Sequence, residues 1–273
     1  MSSDSSDRSS QEPLANCRIL VTRAQHQAVD LSAAIEGAGG TAVPFPAIEI
    51  QGRNADIIAQ EQAALPKPDL VIFSSPNAVE FGLEAVAGEG VRMAAIGPAT
   101  QAAIERAGRG VDLFSASGFD SEHLLAEPEL QAVRGKIIRI VRGDTGRRLL
   151  AEVLRERGAV VDYLSVYRRL PARHSPQALA EIERTWRSGG IDCATIMSVE
   201  TLEHLLSILP EYCRNALKTT PLVTPSKRVI QTAAEKIPAA QTTLAPGPLA
   251  ADMLRALIAW RIKPGNRNES ETQ

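Results

Sequence analysis

The sequence predicts a doubly wound α/β fold in which two parallel-sheet domains are related by duplication. Three observations predict it. Short apolar runs alternate with segments of helical periodicity along the whole chain. Several of these runs, "ILV", "LVIF" and "PLV", are apolar on both faces, as strands are when helices cover a parallel sheet on each side. The second half of the chain then repeats the first.

The strand-like runs, in order, are Arg18–Thr22, Thr41–Phe45, Leu70–Phe73, Met93–Ile96, Val111–Phe114, Ile137–Val141, Val160–Leu164, Cys193–Met197, Leu222–Thr224 and Thr242–Ala245. Amphipathic helices separate them. Leu179, Ile182 and Trp186 form one apolar stripe; Leu202, Leu205, Leu206 and Leu209 form a second; Met253, Leu254, Leu257 and Ile258 form a third. Leucine-rich stripes at this spacing are core faces rather than cofactor contacts.

The repeat aligns "CRILVTRAQHQAVDLSAAIEGAGGTAVPF" with "KIIRIVRGDTGRRLLAEVLRERGAVVDYL". Without a gap, Arg23 meets Arg142, Leu31 meets Leu150 and Gly39 meets Gly158. Next, "DLVIFSSPNAVEFGLEAV" lies over "DCATIMSVETLEHLLSIL", and "MAAIGPATQAAI" over "PLVTPSKRVI". Each half supplies roughly five strands.

Composition excludes several classes. A hydrophobic content of 44% with 23% charged residues is that of a globular protein, and the net charge of −2 gives no field to attract nucleic acid. No run approaches the roughly 18 apolar residues of a membrane helix. The three cysteines lack CxxC spacing, and the four histidines show no HxH or HxxxH spacing, so no metal site is expected. Cys17 and Cys193 read as small core residues. Residues 1–16 and 264–273 are too polar to offset the entropy of ordering and read as disordered tails. These features suit a reducing cytoplasm.

Ligands of an open parallel sheet sit beyond the carboxyl ends of its strands, and the unusual residues lie there. Ser74-Ser75-Pro76-Asn77 follows Phe73, and Gly97-Pro98-Ala99-Thr100 follows Ile96. Arg142-Gly143-Asp144-Thr145-Gly146-Arg147 follows Val141. Ser198-Val199-Glu200-Thr201 follows Met197, and Thr224-Pro225-Ser226-Lys227 follows Val223. Each turn taken alone reads as a helix cap. Five on one side of two lobes make a second reading: helix N-termini with unpaired N–H groups suit carboxylates or phosphates. Arg23, Arg142, Arg147, Arg148 and Lys227 add cations on that side. Two lobes facing one another with such turns would form a cleft for a large polyanion. There is no P-loop, no GxGxxG after the first strand, no GxSxG elbow, and no acid to pair with Asp144. The chemistry expected of such a site asks little of side chains.

Taken in order, "ILVTR", "VIFSSPNAV", "IGPAT", "RGDTGRRLLAEVLRERGAVVDYLSVYRR" and "PLVTPSKRV" resemble uroporphyrinogen-III synthase. The resemblance covers about residues 17–262 and is strongest over 135–169. It implies two flavodoxin-like domains joined by a two-stranded linker. Residues 17–44 and 172–263 would form a discontinuous domain 1, 54–158 domain 2, and 45–53 with 159–171 the linker. Tandem halves, which the repeat alone favours, would not require this exchange.

The resemblance also implies a substrate, hydroxymethylbilane, a linear tetrapyrrole with acetate and propionate arms on every ring. Loss of water from its hydroxymethyl group gives an azafulvene electrophile, whose methylene carbon bonds to the substituted carbon of ring D. A spiro intermediate then fragments and recloses with ring D inverted. The pyrrole supplies the electrons, so no cofactor is expected. The bilane also closes unaided, to the uninverted isomer, and the protein's task would be to hold one near-attack geometry. Hydroxymethylbilane synthase would hand over the substrate to a monomer, without nucleic acid or membrane.

Tyr167 aligns with the tyrosine this family carries between its domains, where a phenol can protonate the departing hydroxyl. The other reading is a ring packed at a junction with its hydroxyl in water. The first copy has Ile48-Glu49-Ile50 at that place. Arg168 and Arg169 either reach substrate carboxylates or solvate the linker. By the same resemblance, Ser75, Asn77, Thr100, Ser198, Thr224, Ser226 and Lys227 match the family's substrate-binding turns, where contacts run largely through backbone N–H groups; Arg23, Arg142, Gly143 and Arg147 join them as binding candidates from their place at the strand ends. The chain departs from the family at Ser198-Val199-Glu200, where many members have Ser-Pro and a small residue. Glu200 either points away or weakens that turn. The competing expectation is a non-catalytic two-lobed regulatory module that binds a tetrapyrrole or another polyanion; a third is an unrelated small-molecule binder.

Overall fold

The computed structural model describes residues 12–262, except 87, 89, 116, 119 and 147. In chain order the first elements are β1 (Arg18–Val21), α1 (Gln25–Gly37), β2 (Thr41–Pro44), β3 (Ile48–Gly52), α2 (Ala55–Ala64), β4 (Leu70–Phe73), α3 (Pro76–Val86), β5 (Arg92–Ala95) and α4 (Pro98–Arg106). There follow β6 (Leu113–Phe114), α5 (Ser121–Ala126), α6 (Pro128–Gln131), β7 (Ile137–Gly143), α7 (Leu149–Glu156), β8 (Val160–Pro171) and α8 (Pro176–Arg187). The last are β9 (Cys193–Thr195), α9 (Val199–Ile208), α10 (Glu211–Leu217), β10 (Leu222–Thr224), α11 (Lys227–Lys236), β11 (Thr242–Leu244) and α12 (Ala250–Ile262).

The chain divides into two compact units. One comprises the residues up to Glu49 together with those from Leu170 onward; the other runs from Ile50 to Arg169. The first holds a five-stranded sheet of order β2-β1-β9-β10-β11, parallel throughout. The second sheet has the order β3-β8-β7-β4-β5-β6, parallel from β8 to β6. Beside β8, Ala172 N donates to Ala47 O at 3.1 Å and Arg53 N to Val166 O at 2.9 Å, which makes the β3–β8 pair antiparallel. These two strands carry the chain across the division between the units. β3 is absent from the strand-like runs read from the sequence, and β8 continues well past Leu164.

Both faces of each sheet are buried, for the reason the apolar runs suggest. In the first unit Leu20 joins Ile182, Trp186, Leu202 and Leu205 on one face. Its neighbours Ile19 and Val21 join Leu31, Ile35, Met253 and Leu257 on the other. In the second unit Ile72, Ile138 and Ile140 pack with Leu150 and Leu154, whereas Val71, Phe73 and Val141 pack with Val79, Leu83 and Ile104. Helix α3 lies so near the sheet that a Cβ on Gly82 would sit 2.6 Å from Val141 and 2.9 Å from Val166; only glycine permits this approach.

At the amino edge of the sheets an aspartate ends the ladder three times. Asp69, Asp112 and Asp192 accept from the backbone N–H of Ile137, Met93 and Arg18 at 2.8, 2.8 and 2.7 Å. Each also donates its own N–H to the carbonyl of that same residue. The first N–H of an inner strand would otherwise be unpaired. Asp69 and Asp192, which the sequence repeat superposes, do this work in different units.

Candidate active site

In the second unit, the helices that follow β7 and β4 pack on opposite faces of the sheet: Leu150 and Leu154 of α7 on one, Val79 and Leu83 of α3 on the other. Neighbouring strands whose helices diverge leave a crevice at their carboxyl ends, where α/β sheets bind ligands. A pocket of about 310 Å³ opens there. The turn after β4 contributes Ser74 and Ser75, β7 contributes Arg142, with Thr145 just beyond it, and β8 contributes Tyr163, Tyr167 and Arg169.

Tyr167 reaches this place through a bulge. β7 and β8 pair regularly from Ile137 opposite Val160 to Arg142 opposite Ser165; the register then slips and Gly143 faces Tyr167. Strict alternation would put Tyr167 on the face of Tyr163. It packs instead in the cluster of Leu164 and Val166. Gly143 makes room for the ring, since a Cβ there would lie 2.9 Å from its Cε2 and Cζ.

Tyr167 is 2% exposed. Its phenol oxygen lies 3.1 Å from Ser75 Oγ, and either hydroxyl can be the donor. Arg169 Nη2 donates to the same phenol oxygen at 3.3 Å, with its guanidinium 5.6 Å from the ring centroid. Ser75 Oγ also accepts the N–H of Ala78 at 3.2 Å, so the group that caps α3 also positions the phenol. Arg142 Nε donates to Gly143 O at 3.1 Å, and its guanidinium lies 4.8 Å from the Tyr163 ring centroid. The site thus pairs a hydroxyl dyad with two cations, which suits proton transfer to an anionic ligand.

The first unit has its own strand-end turns. Helix α1, after β1, and helix α9, after β9, again lie on opposite faces. Ser198 Oγ accepts from Thr201 N at 3.1 Å, as Ser75 does from Ala78. Thr224 is fully buried and its Oγ1 accepts from Ser226 N at 3.2 Å. Ser226 stands before α11 without capping it, and Lys227 is exposed in the first turn. Arg23 Nη1 donates to Pro248 O at 3.3 Å; burial pulls its pKa below the usual arginine value, with Asp30 acting against that shift.

The comparisons with known proteins agree with this architecture. The sequence profile described as "Uroporphyrinogen-III synthase HemD" matches residues 29–253. The chain belongs to the uroporphyrinogen-III synthase family. It is 34% identical to uroporphyrinogen-III synthase of Salmonella typhimurium and 30% identical to that of Escherichia coli, in each case over 72% of this chain and 81% of the relative. In fold it is similar to uroporphyrinogen-III synthetase from Helicobacter pylori, with a TM-score of 0.60 and 12% identity, covering 90% of this chain and 100% of that one. A mutant uroporphyrinogen III synthase from Thermus thermophilus gives a TM-score of 0.55 at 20% identity, with the same coverage.

Among the residues expected to form the family's site, Ser75, Arg142 and Tyr167 line one pocket, with Gly143 beneath the phenol ring. Asn77 and Thr100 occupy the first turns of α3 and α4 at 4% exposure and do not line it. Arg147 lies outside the described residues. Arg23, Ser198, Thr224, Ser226 and Lys227 belong to the other unit. The pocket also contains Asp120, which accepts from His123 N at 2.9 Å, and Tyr163. Neither stands out in the sequence. Asp120 reads as an ordinary cap, and Tyr163 as one residue of a strand.

Proposed function

We propose that the protein is a uroporphyrinogen-III synthase, which cyclises hydroxymethylbilane with loss of water and inversion of ring D. The observation that carries this reading is the Tyr167–Ser75 hydroxyl pair, held with Arg142 and Arg169 in a pocket at the strand ends of a chain of this family. In this reading Tyr167 donates a proton to the departing hydroxyl, and the azafulvene forms by electron push from the pyrrole. Arg142 and Arg169 hold acidic arms, and the amides of the turns at Ser75, Gly143, Ser198 and Ser226 hold others. Asn77, Thr100, Thr224, Lys227, Arg23 and Arg147 belong to the same set. Catalysis then consists mainly in fixing one near-attack geometry.

The reading includes two flavodoxin-like domains that arose by duplication, 17–44 with 172–263 and 54–158, and a two-stranded linker of 45–53 and 159–171. Supporting it, the order β2-β1-β9-β10-β11 has the same spatial form as β8-β7-β4-β5-β6, and Ser75 and Ser198 make the same cap. The bilane reaches the site from hydroxymethylbilane synthase in the cytoplasm. In this reading the enzyme acts as a monomer.

The test is a coupled assay in which hydroxymethylbilane synthase makes the bilane from porphobilinogen. After oxidation, the expected product is predominantly the type III porphyrin. Type I alone, with type III no higher than without the protein, would contradict the proposal.

A further inference from the structure

Tyr163 carries a hydroxyl for which the reaction outlined above has no use. Its ring lines the pocket of Tyr167, but it packs with the opposite core cluster. Arg142 lies 4.8 Å from its ring centroid and Arg155 5.6 Å. The phenol oxygen is shielded from solvent and has no hydrogen-bond partner among the described residues. A buried donor left unpaired costs stability, and native proteins keep few of them. Ile96, Ile140 and Leu150, in whose apolar cluster the ring packs, offer nothing to bond it.

The neighbour that bears on it is a cation. A carboxylate entering the pocket is attracted by Arg142. A carboxylate held by Arg142 over the Tyr163 ring would offer the phenol an acceptor that it lacks among the described residues. Charge from Arg142 and a directed O–H bond from Tyr163 would then hold one carboxylate together. We infer that Tyr163 is a binding residue, which with Arg142 receives one carboxylate arm of the substrate. The inference rests on the proposed function, which supplies a substrate with such arms. It assigns Tyr163 to binding, whereas Tyr167 works at the reacting bond.

Tyr163→Phe keeps the ring and its stacking and removes only the hydroxyl. In the coupled assay its KM rises about tenfold while kcat stays within about twofold, the pattern of lost uniform binding. The unliganded variant melts at the same temperature as the wild type or higher, because an unpaired buried hydroxyl has gone. Arg142→Gln also raises KM, and the double variant raises it no more than the larger single change, since both residues serve one carboxylate. An unchanged KM in Tyr163→Phe, a lowered melting temperature, or multiplicative effects in the double variant would overturn the inference. A wild-type protein that makes no type III product sinks the function. A working wild type with an unaltered Tyr163→Phe sinks this inference alone.

Discussion

Tyr167→Phe lowers kcat for type III formation about a hundredfold while the fold stays intact, since a positioned general acid contributes roughly 10²–10⁴ in rate. The phenol is buried, and its oxygen meets Ser75 Oγ at 3.1 Å and Arg169 Nη2 at 3.3 Å. Phenylalanine keeps the packing against Phe81, whose ring centroid is 6.3 Å away, and keeps the fit over Gly143. Ser75 still caps α3 through Ala78 N. The variant therefore loses a proton donor and little stability, about 0.5–1.5 kcal/mol for one hydrogen bond. Steady-state kinetics in the coupled assay, with a melting curve alongside, measure both quantities. Turnover within twofold of wild type would remove the phenol from the chemistry.

Arg139→Met destabilises the second unit by about 3–5 kcal/mol, the cost of leaving one member of a buried ion pair alone. The Arg139 side chain is fully buried in the middle of β7. Its Nε and Nη2 donate to Asp162 at 2.6 and 3.2 Å, Nη1 donates to Gln62 Oε1 at 2.5 Å, and Nη2 also donates to Pro66 O at 2.8 Å. One guanidinium thus fastens β8, α2 and the loop after α2. Methionine fills much of the space but leaves the Asp162 carboxylate, 18% exposed, without its cation. Urea unfolding measures the loss. Adding Asp162→Leu to Arg139→Met restores much of it, because the unpaired charge is then gone. A loss below about 1 kcal/mol would place the pair with ordinary surface bridges.

These two residues also mark what the sequence disclosed and what it did not. The strand-like runs at Ile19, Val71 and Ile140 announced buried strands because their apolar residues fill both faces, and both faces proved covered. The stripes at Ile182, Leu205 and Leu257 announced helices for the same reason. Ser75 and Ser198 were legible as caps, since a hydroxyl before a helical run acts within four residues. Arg139 was not legible as a buried group. In "KIIRIVRG" it reads as the polar side of a strand, and its burial depends on an aspartate of the next strand.

β3 lies within the linker that the family resemblance implies, but periodicity alone does not show it, for a related cause. "IEIQG" alternates with charge, and its pairing is made with a segment far along the chain. The bulge at Gly143 is likewise a property of two strands together, and no period in either one reveals it. Without it the face to which Tyr167 turns cannot be derived, so the phenol's bond to Ser75 was beyond the reach of the sequence.

The proposal most in need of a test is that the amide-rich strand-end turns bind the tetrapyrrole. Hydrogen exchange with and without the proposed product, uroporphyrinogen III, under anaerobic conditions tests it most directly. Exchange is expected to slow at Ser75–Val79 and Gly143–Thr145 in one unit and at Ser198–Leu202 and Ser226–Val229 in the other. Protection confined to a single unit, or found at the amino edge near Asp69 and Asp192, would contradict it.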